Sequence, residues 1–176
     1  EEVEKISKIL GCYLTEEIKP HLVADILLMN FHFATMEDTE EIYYYEGGRY
    51  KLGGETLIKR ILQLAFKKLN IHFKLSQRFV NEVLEHIKRS TLTERSEFDK
   101  DPWIINVKNG LLDLRTLELK PHTPEYKSLI QLPVIWNPKA KCELWDKFIS
   151  DVVNPEDVKV LQEFAGYLLL KDCRFQ

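Results

Sequence analysis

The chain has 176 residues, 44% of them hydrophobic and 30% charged, the balance of a globular protein able to bury a core. A net charge of -3 and a pI near 6.0 argue against a surface committed wholly to nucleic acid, and no stretch approaches the ~18 uninterrupted apolar residues of a membrane-spanning helix. Cys12, Cys142 and Cys173 are odd in number, far apart and away from any histidine at zinc-ligand spacing, so neither a disulfide framework nor a structural zinc is expected.

In chain order, Val3, Ile6, Ile9, Leu10, Tyr13 and Leu14 recur at spacings of three and four and predict an amphipathic helix over 2–14. Thr15-Glu16-Glu17 reads as a new start, and a second helix is predicted over 17–35, with Pro20 tolerated in its first turn. His32, between Phe31 and Phe33, reads there as a half-buried helix residue rather than a base or ligand. Ile42 to Tyr45, the turn Gly47-Gly48, and Arg49 to Leu52 form a β-hairpin that Gly53-Gly54 ends. Helices follow over 55–69, with Leu57, Ile58, Ile61, Leu62, Ala65 and Phe66 on one stripe, and from the capping Ser76 to about Arg89.

Beyond the charged connection 93–101 the periodicity becomes extended. Trp103 to Val107, a turn at Asn109-Gly110, Leu111 to Leu114 and Leu117 to Leu119 read as a β-meander, because Asn-Gly is the strongest short-range hairpin signal. Residues 129–136, interrupted by Pro133, add an extended edge piece. Two last helices, Cys142 to Val153 and Glu156 to Leu170, carry Trp145, Phe148, Phe164 and Tyr167 as their packing residues. The expected fold is α+β, mostly helical, with a winged-helix-like hairpin and a small antiparallel meander. Its expected pieces are a helical domain with hairpin over 1–92, the meander over 93–137, and terminal helices over 138–176.

Active-site constellations are missing: no phosphate loop of the GxxxxGK[ST] type, no GxGxxG after a strand, no GxSxG, no HExxH. The two Gly-Gly pairs stand where turns want them rather than where a phosphate would be cradled. Glu37, Asp38, Glu40 and Glu41 lack an identifiable partner acid, so a solvated loop is favoured over a metal site. A nuclease or nucleotidyl transferase built on Glu37, Asp38 and Asp113 has no supporting constellation either. No enzyme, metal or cofactor is therefore expected in this stretch of chain.

Charge is unevenly spread: residues 1–50 hold 4 Lys/Arg against 11 Asp/Glu, residues 51–90 hold 9 against 3, and residues 91–176 hold 12 against 14. The basic middle is either a solvated helix face or a footprint for DNA. In the second case the binding residues are Arg49, Lys51, Lys59, Arg60, Lys67 and Lys68, with Arg78, Lys88 and Arg89 behind them. Tyr43, Tyr44, Tyr45 and Tyr50 would either help straddle the DNA or pack the hairpin onto the helices.

Two connected strings carry more information than the charge. NVKNGLLDLRTLELKPHTPEYKSLIQLPVIWNPKAKCELWDKF (106–148) resembles the segment that precedes the motor in phage-, plasmid- and poxvirus-type primase-helicases. The resemblance runs through Asn109, Gly110, Asp113, Pro121, His122, Cys142, Trp145 and Phe148. LQEFAGYLLLKDCRFQ (161–176), with Gly166 and Tyr167, resembles the lead-in to the first ATPase strand, and HFATMEDTEEIYYYEGGRYKLGGE (32–55) resembles the family's N-terminal hairpin region.

The resemblance implies a non-catalytic DNA-replication module beside a superfamily 3 helicase core, acting as collar, oligomerisation and DNA-handling domain. ATP and Mg²⁺ would belong to the motor. The implied partners are DNA, further copies of the protein in a hexameric ring, and the primase and helicase domains in cis; with no long apolar run and no secretory-type opening in the sequence, the expected location is the cytoplasm or a host cell's interior, with no membrane partner. The chain, opening on Glu1 rather than Met, reads as a piece of a longer protein. The alternative is a stand-alone winged-helix domain that reads an origin or template sequence.

Overall fold

Pro20 supplies the preset φ and the dispensable N–H that suit a helix start, and it opens α1 (Pro20–Asn30). The computed structural model describes residue 8 and residues 18–171. The helix expected over 2–14 therefore lies outside the described residues apart from Lys8, which is helical, and so do Cys12 and Cys173.

The helix predicted to reach Thr35 stops at Asn30, whose side-chain amide donates to the Ile26 carbonyl at 2.8 Å. Phe31 turns extended, exposed His32 follows, and β1 (Phe33–Met36) is a strand with all four residues buried. Four buried residues, Thr35 among them with its hydroxyl bonded to that of Thr91 at 2.8 Å, cannot reveal their period, because a strand covered on both faces shows no alternation. β2 (Ile42–Glu46) and β3 (Arg49–Leu52) form the expected hairpin, with Glu46 opposite Arg49. Gly47 and Gly48 both have positive φ, 63° and 86°, the pair that a type I′ turn requires.

The hairpin is not a free wing. β1 pairs antiparallel with β2, and β4 (Leu92–Thr93) runs parallel to β1, giving a four-stranded sheet in the order β3-β2-β1-β4. α1, α2 (Gly54–Lys68) and α3 (Gln77–Ser90) cover one face, burying Leu27, Phe33, Ile42, Leu62, Phe66 and Ile87. Phe66 stacks edge-on against Phe79 at 5.5 Å. A Cβ on Gly54 would come within 2.6 Å of the Ile42 side chain, so glycine is what lets α2 start this close to the sheet.

The opposite face holds Ala34, Met36, Tyr50 and Phe98, with Tyr43, Tyr45 and Leu129 beside them. Tyr50 donates its N–H to the Ser128 carbonyl at 2.7 Å and its hydroxyl to the Pro124 carbonyl at 3.0 Å. Residues 124–129 thereby line the outer edge of β3. The chain accordingly divides into two units, Glu1–Phe98 with Pro124–Leu129, and Asp99–Thr123 with Ile130–Gln176.

The second unit contains the meander β5 (Ile104–Val107), β6 (Gly110–Asp113) and β7 (Glu118–Lys120), all antiparallel. Ile105, Val107 and Leu112 form its core. The turn is displaced by one residue from the expected Asn109-Gly110. Val107 pairs with Gly110, so Lys108 and Asn109 make the turn and Gly110 begins the strand. A side chain on Gly110 would run into the Lys120 backbone carbonyl of the neighbouring strand. The extended piece after Leu129 bridges in parallel from Leu132 to Val107, and Val134 accepts from Lys108 N–H.

α4 (Glu143–Val152) and α5 (Val158–Tyr167) follow. Their apolar residues were expected to pack, but Ile149 is the buried one, while Trp145, Phe148, Phe164 and Leu168 are each more than half exposed. Two short helices alone offer each other one stripe, and the remaining apolar faces need a further layer that the described residues do not supply.

Candidate nucleic-acid interface

The basic middle of the sequence lies in the first unit, and its cations are not equivalent. Lys51 is bound to Glu46 at 2.7 Å, Lys59 to Glu55 one turn earlier on α2, and Arg78 to Glu82 at 2.8 Å on α3. Lys88 lies 3.8 Å from Glu40 and 3.7 Å from Glu85. These four cations have their charge partly matched within the fold. Arg49, Arg60, Lys67 and Arg89 have no ion-pair partner among the described residues. Arg60 and Lys67, seven positions apart, fall on one exposed side of α2. Lys68 follows Lys67 at the helix end, where both suit the dipole.

Tyr43, Tyr45 and Tyr50 do not share this surface. Tyr45 meets Tyr50 edge-on at 5.4 Å, while Tyr50 and Tyr43 each reach Phe98 at 6.0 Å. Burial pushes the Tyr50 hydroxyl up to about 12 and raises Tyr43 and Tyr45 in the same direction. They pack the sheet face that the helices do not cover, whereas Tyr44 packs toward the helices. Strand alternation places Arg49 and Lys51 on the opposite side of β3 from Tyr50.

The acidic stretch after β1 is tied locally. Arg95 donates Nε to Asp38 at 2.8 Å, and that bond holds the Asp38 carboxyl below its ordinary range. Among the described residues no three His, Cys, Asp or Glu side chains gather as metal ligands would, and no helix is long and apolar enough to cross a membrane.

The motif residues of the second unit hold its backbone together. His122 Nε2 lies 2.9 Å from the Val107 carbonyl, an acceptor only, so the proton is on Nε2 and is shared with Asn106 Oδ1 at 3.1 Å. Gln131 donates to the same Asn106 oxygen at 3.1 Å, and Asn106 is almost wholly buried. Asn109 forms a two-way pair with the backbone of Trp136, donating at 3.0 Å and accepting at 2.9 Å. Asp113, its side chain 7% exposed, accepts from Arg115 through Nη2 at 2.7 Å, through Nε at 2.9 Å and through the backbone N–H. The Arg115 guanidinium bonds bring the Asp113 carboxyl down to about 2.

Pro121 is exposed and precedes His122, and exposed Cys142 stands at the N-cap of α4. Trp145 and Phe148 face outward with rings 6.0 Å apart. Gly166 has open space about it, and half-buried Tyr167 ends α5.

Sequence reasoning missed Asn106, Gln131 and Arg115. A polar Asn inside the apolar run Ile104-Ile105-Asn106-Val107 was the available signal, since a strand buries such a residue only when its amide is bonded. The family model described as D5 N terminal like matches residues 24–154, which reach into both units. No curated protein matches the chain.

Proposed function

This chain belongs to the D5 N terminal like family, the domain that precedes the superfamily 3 helicase in primase-helicases, and on that premise we propose that it serves as the collar and DNA-handling module of such an enzyme. Catalysis would rest with the motor, which would bind ATP and Mg²⁺. The observation that carries the reading is the match itself, over residues 24–154. DNA handling is supported by Arg49, Arg60, Lys67 and Arg89, cations that no described residue neutralises. A collar role is supported by α4 and α5, which hold Trp145, Phe148, Phe164 and Leu168 in solvent next to a groove of about 400 Å³. Contiguous apolar surface of this kind marks a protein contact, and a head-to-tail contact repeated around an axis closes a ring.

Size exclusion with light scattering, on this chain and on the full-length parent, tests the collar. Concentration-dependent assembly of the short chain supports it. A strict monomer that assembles only with the motor attached moves ring formation to the motor. A monomer that prefers one duplex sequence supports a stand-alone reader instead.

A further inference from the structure

From Thr56 to Asn81 the sequence contains no Asp or Glu and six Lys/Arg. At the centre of this stretch is the connection between α2 and α3, which is fixed at both ends. Asn70 takes the left-handed conformation with φ 56°, its N–H donating to the Lys67 carbonyl at 3.1 Å, while Ile71 N–H reaches Phe66 at 3.0 Å. This paired closure is the Schellman helix end, with Asn where glycine is commoner. A one-turn 3-10 helix, His72–Lys74, follows, and Ser76 then caps α3 by accepting from Phe79 N–H at 3.1 Å.

Ile71 and Leu75 pack against the helical core on either side of that turn. The three residues between them, His72, Phe73 and Lys74, are all exposed. Phe73 is 73% exposed, its ring flanked edge-on by His72 at 6.3 Å. Lys67 and Lys74 have no ion-pair partner among the described residues. The connection therefore holds an aromatic ring in water, on an anchored backbone, within a stretch of sequence that carries cations and no acid.

A stacking surface bordered by phosphate-binding cations matches a nucleic-acid strand whose bases are free. In a duplex the base faces are already stacked on one another, so the ring would find nothing to stack on. We propose that the α2–α3 connection is a contact for single-stranded nucleic acid, with an unpaired base on Phe73 and its flanking phosphates against Lys67 and Lys74. This rests on the DNA-handling reading above and narrows it to single strands and to one loop.

The test titrates the full chain with labelled oligo(dT) of about 15 nucleotides, within the site sizes such surfaces cover, and with a matched duplex, over a series of salt concentrations. Phe73→Ala should weaken oligo(dT) binding about tenfold, the size of a lost stack, with an unchanged salt slope and an unchanged melting temperature. Phe73→Trp should retain binding and gain a fluorescence signal quenched by the strand. Lys67→Gln and Lys74→Gln should each flatten the slope by about 0.7.

If Phe73→Ala binds as the parent does while Arg60→Gln binds more weakly, the loop proposal is overturned and DNA handling through α2 stands. Equal weakening on the duplex overturns the single-strand assignment. A change in oligomeric state with no change in binding makes Phe73 a protein contact and overturns it too. A parent chain that binds neither strand form removes the DNA-handling reading and this inference with it.

Discussion

Replacing Asn106 by Leu tests whether the second unit is held by its buried amide or only by its apolar core. Leu is close to Asn in size and prefers burial, so a purely hydrophobic account expects no loss. Asn106 Oδ1, however, accepts from both His122 and Gln131 at 3.1 Å. Two neutral hydrogen bonds are worth about 1 kcal/mol each, and weakening the solvation of half-buried Gln131 adds to this, while the new methyl groups return part of it; the net expectation is a loss of about 2 kcal/mol. For a cooperative unit of this size that lowers the melting temperature by roughly 8 to 16 °C. Trp103 and Trp136 lie in the same unit, so thermal unfolding followed by tryptophan fluorescence reports on it. Asn109→Ala, which removes an exposed two-way pair to Trp136, should cost less, about 1 kcal/mol. A melting temperature for Asn106→Leu equal to or above the parent's would refute the reasoning and make the amide network a bystander.

Asp113 has its pKa lowered in the folded state, so its contribution is present above the ordinary carboxylate pKa and disappears as pH falls through about 2. The stability gap between the parent and Asp113→Asn should thus be open at pH 5 and close toward pH 2 in thermal melts. Gly110→Ala sets a Cβ against the Lys120 backbone, which cannot rotate away, and should cost about 1 to 3 kcal/mol by overpacking; a melting temperature unchanged from the parent's would rule out that close approach. On the DNA surface, losing one phosphate contact at a slope of about 0.7 means that Arg60→Gln weakens single-strand binding roughly eightfold near 50 mM salt and threefold near 200 mM. Lys59→Gln should do less, because Glu55 already holds that ammonium, and Glu55→Gln should tighten binding; equal effects of Lys59 and Arg60 would contradict this ranking.

The α+β class and the order of most elements were legible, because α2 and α3 have long stripes and Gly47-Gly48 allows only a narrow choice of turn. Elements too short to repeat a pattern, or buried on both faces, were not. Phe33–Met36 passed for the end of a helix, and Leu92–Thr93 is too brief to show any pattern. The Asn-Gly signal found the second hairpin but placed its turn one residue late, since the glycine answers to a crowded neighbour strand rather than to a turn dihedral. At the candidate interface the composition revealed a basic segment, but which cations are matched depends on acids one helical turn away or on other elements. Glu40, beside Lys88, is an example. The role of the hairpin tyrosines was hidden for a similar reason: Phe98 and Leu129, which they pack against, are distant in sequence.

The return of Pro124–Leu129 to the edge of β3 bears on how the protein can be made and cut. A nascent chain emerging from the ribosome has all four strands of the first sheet by Thr93, yet Tyr50 N–H gains its acceptor only when Ser128 has been synthesised. Until then the edge of β3 can pair with another chain. A truncation that ends at Phe98, although it looks like a natural stopping point, would keep that edge open permanently and should aggregate, whereas one that ends beyond Trp136 keeps both this cover and the Leu132–Val134 cover of β5 and should not.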